Sequence, residues 1–242
     1  MTGPHAATVE GGTDDFEPFG ACWLADDDTS AAQRAYEWAL ERMAARDIPL
    51  SRFHVADLND PLSMPTLPLP HPADVVVVGV SDAASRRRAR ALVNLFGCSI
   101  VIVPEDHSGG HGIVCGVDRV TTAGITAAAA GVEAEHSRQP LLLLHAVAVK
   151  AHPFSTRPGH VDPPLRIGRT AIERHHPMVD LTCRLRSIAA VHALLDESRG
   201  RELLVVGGER ITSHVSVLGE LIDRTSIPLL IARGGGSSRL MD

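Results

Sequence analysis

The stretch Gly112-Ile-Val-Cys-Gly-Val-Asp118, continued by Thr121-Thr-Ala-Gly-Ile-Thr-Ala-Ala-Ala-Ala130 and closed by Leu141-Leu-Leu-Leu-His-Ala-Val147, decides the fold. The first piece is an apolar run of strand length that stops at a carboxylate. From Thr121 to about Glu135 the chain is rich in threonine and alanine, with too few strong apolar residues for a strand. The last piece is a second apolar run, set off by Gln139-Pro140. Strand, helix of about fifteen residues, strand is the βαβ signature, and its crossover makes parallel neighbours in a doubly wound sheet. Asp118 then stands at the carboxyl edge of the first strand, where such sheets bind ligands.

Working outward, the same alternation recurs on both sides. Toward the N-terminus, Phe19 to Ala25 is a short apolar run ending in Asp26-Asp27-Asp28. Ala32, Ala35, Tyr36, Ala39, Leu40 and Met43 then recur at helical spacing behind a Thr29 or Ser30 cap. Ile48 to Val55 is a strand candidate, Asp57 to Pro72 a proline-rich loop, and Asp74-Val-Val-Val-Val-Gly79 a buried strand. A helix from about Ala83 to Phe96 and a strand from Ser99 to Pro104 complete that half. Glu105 to His111 reads as a linker. Toward the C-terminus, Ala151 to Gly168 reads as loop, Thr170 to His175 as a short helix, and Val179 to Leu185 as a strand. A helix over Ser187 to Ser198, the strand Glu202-Leu-Leu-Val-Val-Gly-Gly208, a helix from about Ser213 to Arg224 and the strand Ile227 to Ala232 follow.

Spacings show that the alternation is a repeat. Asp27 to His54 and Asp118 to His145 are both 27 residues; Gly79 to Ile100 is 21 and Gly207 to Leu229 is 22. Between these pairs the halves differ: Asp27 to Gly79 is 52 residues, and Asp118 to Gly207 is 89. The difference is the size of one helix–strand–helix unit, so the first half is a shortened copy. The expected organisation is a disordered tail over 1–18, a truncated domain over 19–104, a linker over 105–111, a full domain over 112–233 and a flexible tail over 234–242.

Composition narrows the function classes. Aromatic residues make up 3% of the 242, too few for stacking platforms on single-stranded nucleic acid. The net charge of −6 removes the basic footprint of a general nucleic-acid binder. The one basic cluster, Arg86-Arg87-Arg88 with Arg90, reads as a solvated helix face. No apolar run approaches the ~20 residues of a membrane span, and no secretory signal opens the chain. Cys22, Cys98, Cys115 and Cys183 are widely spaced and lie in or beside apolar runs, which predicts buried reduced thiols and a cytoplasmic protein. No H-E-x-x-H or Cys/His zinc spacing occurs, so no metal is expected.

These residues resemble a known family. Gly112 to Asp118, the leucine run into His145, Leu203 to Gly207 and Ile227-Pro-Leu-Leu-Ile231 are similar to a universal stress protein (UspA-like) domain. Trp38, eleven residues after Asp27, and Ala73-Asp-Val-Val-Val-Val-Gly79 are similar to a second copy. The resemblance covers about 19–104 and 112–233. It implies an α/β fold of two flavodoxin-like sheets in tandem, each a Rossmann-like, adenine nucleotide alpha hydrolase-like doubly wound parallel sheet, the first one truncated. It also implies pairing through the final strands, Ser99 to Val103 and Pro228 to Ala232, within one chain or across a homodimer.

Some members of that family bind ATP, and the resemblance places their contacts here. Asp118, with Val117 before it, matches the aspartate that meets the nucleoside. Ala146 and Val147 fall at the adenine position, and Gly207 with Gly208 opens the phosphate loop. The family loop runs glycine, two residues, glycine, nine residues, then glycine and Ser/Thr. Here Arg210 stands in the second glycine place and Glu220 in the third; a gapped alignment puts Val215-Ser216 there instead. In the first half Asp82 and Leu92 hold those places. Glycines let backbone N–H groups approach phosphate oxygens, so both loops are degenerate. Asp118 has a second reading as the cap of the next helix, and Gly207-Gly208 as a simple turn. His54 and His145 read as strand-end residues. Lys150 is the only lysine, and no nucleophile–base pair is evident, so the chain is expected not to be an enzyme. The expectation is a tandem stress-response or regulatory module with degenerate nucleotide sites and an unknown protein partner, touching neither nucleic acid nor membrane. The alternative is ATP binding by the second half alone.

Overall fold

The computed structural model of the chain describes residues 20–56, 70–147, 162–208 and 216–234. Both expected tails and Arg210 therefore lie wholly or almost wholly outside the described residues. In the first half, β1 (Cys22–Asp26), α1 (Ser30–Ala44), β2 (Leu50–His54), β3 (Val75–Val80), α2 (Ala83–Leu95) and β4 (Ser99–Pro104) follow in order. The second half runs β5 (Ile113–Gly116), α3 (Val120–Ser137), β6 (Leu141–Ala146), α4 (Pro163–His175), β7 (Leu181–Arg186), α5 (Ala190–Glu197), β8 (Leu203–Gly207), α6 (Val217–Arg224) and β9 (Leu229–Ala232). All nine strands form one sheet in the order β2-β1-β3-β4-β9-β8-β5-β6-β7.

Within each half every pairing is parallel, as short βαβ crossovers require. The halves meet through β4 and β9, which pair antiparallel with Ile100 opposite Ile231 and Ile102 opposite Leu229. Left bare, either strand would be a long apolar edge open to association. Joined, they become the centre of the sheet, and every residue of both is buried. Four described strands stand on the first side of this seam and five on the second.

Helices cover both faces. On one face α1, α3 and α4 bury Ala35, Trp38, Ala127, Leu165 and Ile172 against strand residues such as Leu24, Val77, Val101, Leu143 and Val205. On the other, α2, α5 and α6 bury Leu92, Val93, Leu194, Leu221 and Ile222. The alanine content of α3 has a packing reason, since ten of its eighteen residues are buried. A β-carbon at Gly131 would run into the His176 ring.

The structure corrects four local expectations. The chain over 163–168, read as loop, is the first part of α4. Asp162 caps it by accepting from the Leu165 N–H, and Pro163-Pro164 fill the first turn, where their missing N–H groups cost nothing. The arginine cluster of α2 is a solvated face only at Arg87 and Arg88. Arg86 donates to the carbonyls of Ile222 and Thr225, and Arg90 to the Gly219 carbonyl and to Asp223, all on α6 or at its end. Cys183 is exposed on the edge strand β7, whereas Cys22, Cys98 and Cys115 are buried. Burial pushes the Cys22 thiol up to about 12 and Cys98 to about 11. The 105–111 connection packs down: His107 is buried and the Gly110 N–H donates to Glu202.

Candidate functional site

At the carboxyl edge of the second half, β5 and β8 end side by side while α3, α5 and α6 start around them. Between these ends lies a cavity of about 380 Å³, within the usual size of small-ligand sites. Its lining includes Val117, Asp118, Ala146, Gly207, Gly208 and Ser216, so six of the residues singled out from sequence converge. Gly116, Leu144, Leu194, Val206 and Leu221 supply an apolar wall. Thr122, Thr126 and Arg119 supply further polar groups. The room depends on small residues. A β-carbon at Gly116 would come 2.6 Å from Leu194 Cδ2, and one at Gly207 would come 2.5 Å from Thr126 Oγ1.

Asp118 does not cap α3. The cap position is Arg119, which makes no side-chain capping bond. Asp118 is exposed at the cavity and has no hydrogen bond or ion pair among the described residues. A carboxylate so placed can accept two hydroxyl hydrogen bonds, the chemistry of a ribose diol.

Some expected donors are already spent. The Val147 N–H donates to the Arg186 carbonyl, extending the β6–β7 ladder, and Val147 is not among the lining residues described. The Gly208 N–H donates to the Ala232 carbonyl, while its own carbonyl accepts from Arg233 Nε at 3.1 Å. Gly207 and Gly208 both have ordinary negative φ. Crowding explains them: a β-carbon on Gly208 would overlap Ile231 Cγ2. The glycine pair is thus a close-packed turn and not a nest of free N–H groups. Ser216 caps α6, accepting from the Gly219 N–H at 3.0 Å and keeping its own O–H as a donor.

The first half lacks this opening. The first turn of α1 lies against the end of β3, so that a β-carbon on Gly79 would overlap the Ala31 carbonyl. Asp27, the counterpart of Asp118, accepts from the Thr29 hydroxyl and pairs with Arg88, both at 2.5 Å. After β3 only Ser81 and Asp82 precede α2. There Asp82 and Ser85 close a capping box, which holds the Asp82 carboxyl below its ordinary value. The strand-end histidines both pair with aspartate, His54 with Asp28 at 3.1 Å and His145 with Asp162 at 2.8 Å. His145 thereby ties the end of β6 to the cap of α4.

Sequence reasoning missed Thr122, Thr126 and Arg233. The threonines lie one turn apart on α3, and Thr126 Oγ1 donates to the Thr122 carbonyl at 3.0 Å. Their only signal was two hydroxyls at i and i+4 on a helix starting beside a ligand edge. Arg233 follows the last strand and gave no signal. Among the described residues there is no group of three or more side chains able to hold a metal, and no helix long and apolar enough to cross a membrane.

Strand order, crossovers and an opening at the carboxyl edge define a doubly wound α/β protein. More narrowly, the fold is that of the universal stress proteins. A universal stress protein from Archaeoglobus fulgidus DSM 4304 matches over 84% of this chain and 76% of its own, with TM-score 0.56 and 12% identity. A universal stress protein solved in complex with cAMP matches over 52% of this chain and 99% of its own, with TM-score 0.44 and 21% identity. UspA from Lactobacillus plantarum matches over 52% of this chain and all of its own, with TM-score 0.35 and 14% identity. No protein-family model matches the chain, and no curated protein sequence does.

Proposed function

We propose that this chain is a non-catalytic regulatory module of the stress-response kind, in which the second half alone takes an adenine nucleotide. One observation supports the reading above the rest. The carboxyl edge of the second half opens into a cavity beside an unpaired Asp118, whereas the first half fills the same place with α1 and ties Asp27 to Arg88. In the second half the base lies against Leu144, Ala146 and Leu194, and Asp118 accepts from the ribose hydroxyls. Ser216 at the start of α6 donates toward the phosphate side, where the helix N-terminus favours an anion. The described lining residues bring together no nucleophile–base pair, which favours binding over turnover. The module acts in the cytoplasm as a single chain whose halves pair internally, and it signals its ligand state to a protein partner.

Calorimetry with ATP and AMP on the wild type and Asp118→Ala tests this reading. Micromolar binding at one site per chain, lost in the variant, is the expected result. Two sites per chain, or a folded wild type that gives no heat with any adenine ligand, would sink it.

A further inference from the structure

The pairing of β4 with β9 uses the last strand of each half and leaves β2 and β7 as the outer edges of the sheet. Of the two, β7 is the barer: Thr182, Cys183, Arg184 and Leu185 are all exposed, Leu185 at 43%. Its inner ladder is fixed at both ends, where the Leu141 N–H donates to the Asp180 carbonyl and the Val147 N–H to the Arg186 carbonyl. In a parallel ladder alternate residues turn both backbone groups to the same neighbour, so Asp180, Thr182, Arg184 and Arg186 face β6. Leu181, Cys183 and Leu185 therefore turn their N–H and carbonyl groups outward, where no described strand pairs with them. Charged side chains are the usual guard on such an edge. Here the guards are drawn aside, since Arg184 and Arg186 both bend to Glu197 of α5, at 2.6 and 2.5 Å.

The sequence of this edge is complementary to itself. Antiparallel pairing of two copies about Cys183 brings outward backbone groups to outward backbone groups. It sets Leu181 across from Leu185, Thr182 across from Arg184 and Asp180 across from Arg186, with no like charges directly opposed. Leu181, Cys183 and Leu185 share one face of the strand, so the apolar pairs and the two thiols lie together. The opposite edge lacks this property. The Cys22 N–H donates to the Pro49 carbonyl, which turns Leu50, Arg52 and His54 outward on β2. The same two-fold pairing there would set Arg52 across from itself, a destabilising contact. We infer that two copies of this chain join edge to edge through β7, antiparallel about Cys183, and so extend the sheet across a two-fold axis. The single chain of the proposed function is then one protomer of a dimer. No residue of β7 is among the described lining of the candidate cavity, so each copy keeps its own.

The test is sedimentation equilibrium on the wild type, Leu185→Lys and Cys183→Pro, each variant first checked for an intact thermal transition. One strand pair makes a small interface, so the wild type should dimerise with a dissociation constant of roughly 10–100 μM. Leu185→Lys puts a charge across from Leu181, and Cys183→Pro removes an outward N–H without touching the ladder to β6. Each should weaken the dimer at least about tenfold. Should one variant fail to fold, the other still reads the edge. The register is read separately, because residues paired across it stand about 5.5 Å apart. A short bis-maleimide should therefore join two wild-type chains through Cys183, the other three cysteines being buried. A wild type that stays monomeric well above the expected range overturns the inference. So does a dimer equally strong in both folded variants, which would lie on another surface. A dimer that the variants weaken but that the bis-maleimide does not join at Cys183 overturns the two-fold register.

Discussion

Glu133 is a buried charge that ties the two halves together. It projects from α3, and its carboxylate meets Arg42 Nη1 of α1 at 2.9 Å and Arg46 Nη1, in the turn just after α1, at 2.8 Å. The Glu133 and Arg46 side chains are 2% and 1% exposed, so neither recovers water if its partner is lost. Arg42 has a second carboxylate, Glu202, at 2.7 Å; Arg46 has no other ion pair among the described residues. The Arg46 contact is a charge contact and not an aligned hydrogen bond, and its Nε also lacks an acceptor there. Glu133→Gln keeps the volume and removes the charge, which orphans one guanidinium and half-orphans the other. Breaking a buried pair from one side costs about 3–5 kcal/mol, and the surviving Glu202 contact puts this case near the lower end, about 3 kcal/mol. For a chain of this size the melting temperature should fall by roughly 6–12 °C. Replacing both partners by apolar side chains of similar size, as in Glu133→Leu with Arg46→Met, removes the desolvation cost along with the attraction and should recover most of the loss. Thermal melting followed by circular dichroism reads both. A fall of less than about 2 °C in Glu133→Gln, well below the value just worked from burial, would refute the reasoning. A double variant no more stable than the single would refute it as well.

Two further outcomes follow from close contacts and buried charge. Gly79→Ala drives a β-carbon into the backbone carbonyl of Ala31, which has no rotamer to escape to, whereas Gly207→Ala meets Thr126 Oγ1 at 2.5 Å, a side-chain atom that can turn away. Urea midpoints should therefore fall by the equivalent of about 1–3 kcal/mol or more for Gly79→Ala and by clearly less for Gly207→Ala, and equal losses would contradict the packing argument. His107, buried in the connection between the halves, has its pKa lowered below 6.5 chiefly by burial, with nearby Glu202 opposing. The unfolded chain then binds the extra proton more readily, so stability should be steady above pH 6.5 and fall as pH drops through the folded-state value. His107→Gln should flatten that slope in melts taken across mildly acidic pH, and an unchanged slope would assign the effect to other groups.

Much of the fold was legible because its elements obey short-range rules. Val75 to Val80 and Ser99 to Pro104 are continuous apolar runs because they are covered on both faces, as central parallel strands are. The equal spacings from Asp27 to His54 and from Asp118 to His145 each span one helix and the strand after it. What failed had long-range causes. Nothing within Arg86-Arg87-Arg88 indicates that the carbonyls at the end of α6 lie 136 or more residues away in the chain and in reach. The start of α4 was missed for a local reason, since a proline pair outweighed the aspartate cap before it. At the site, the strand-end residues could be placed because β-strand termini are predictable. The committed N–H groups of Val147 and Gly208 could not, because they depend on how far each ladder runs.

The asymmetry of the two halves and the continuity of the sheet have one physical origin. Where two copies of such a sheet meet through their last strands, each must present a flat apolar edge, and the covering helices must then be joined across the seam. The first half supplies Arg42 and Arg46 on one face and Arg86 and Arg90 on the other, and the second half answers with Arg233, which donates to the Val93 and Phe96 carbonyls. Arg88, on the same helix as Arg86 and Arg90, takes the carboxylate of Asp27 that a ligand would otherwise use. A helix so committed to its neighbour leaves no slack for a loop between β3 and α2, and Asp82 caps α2 after a single intervening residue. The second half keeps a longer segment between β8 and α6, and with it a cavity. On this account the first half is the built-in partner of the second: its own strand ends are filled by α1, whereas those of the second half open into a cavity.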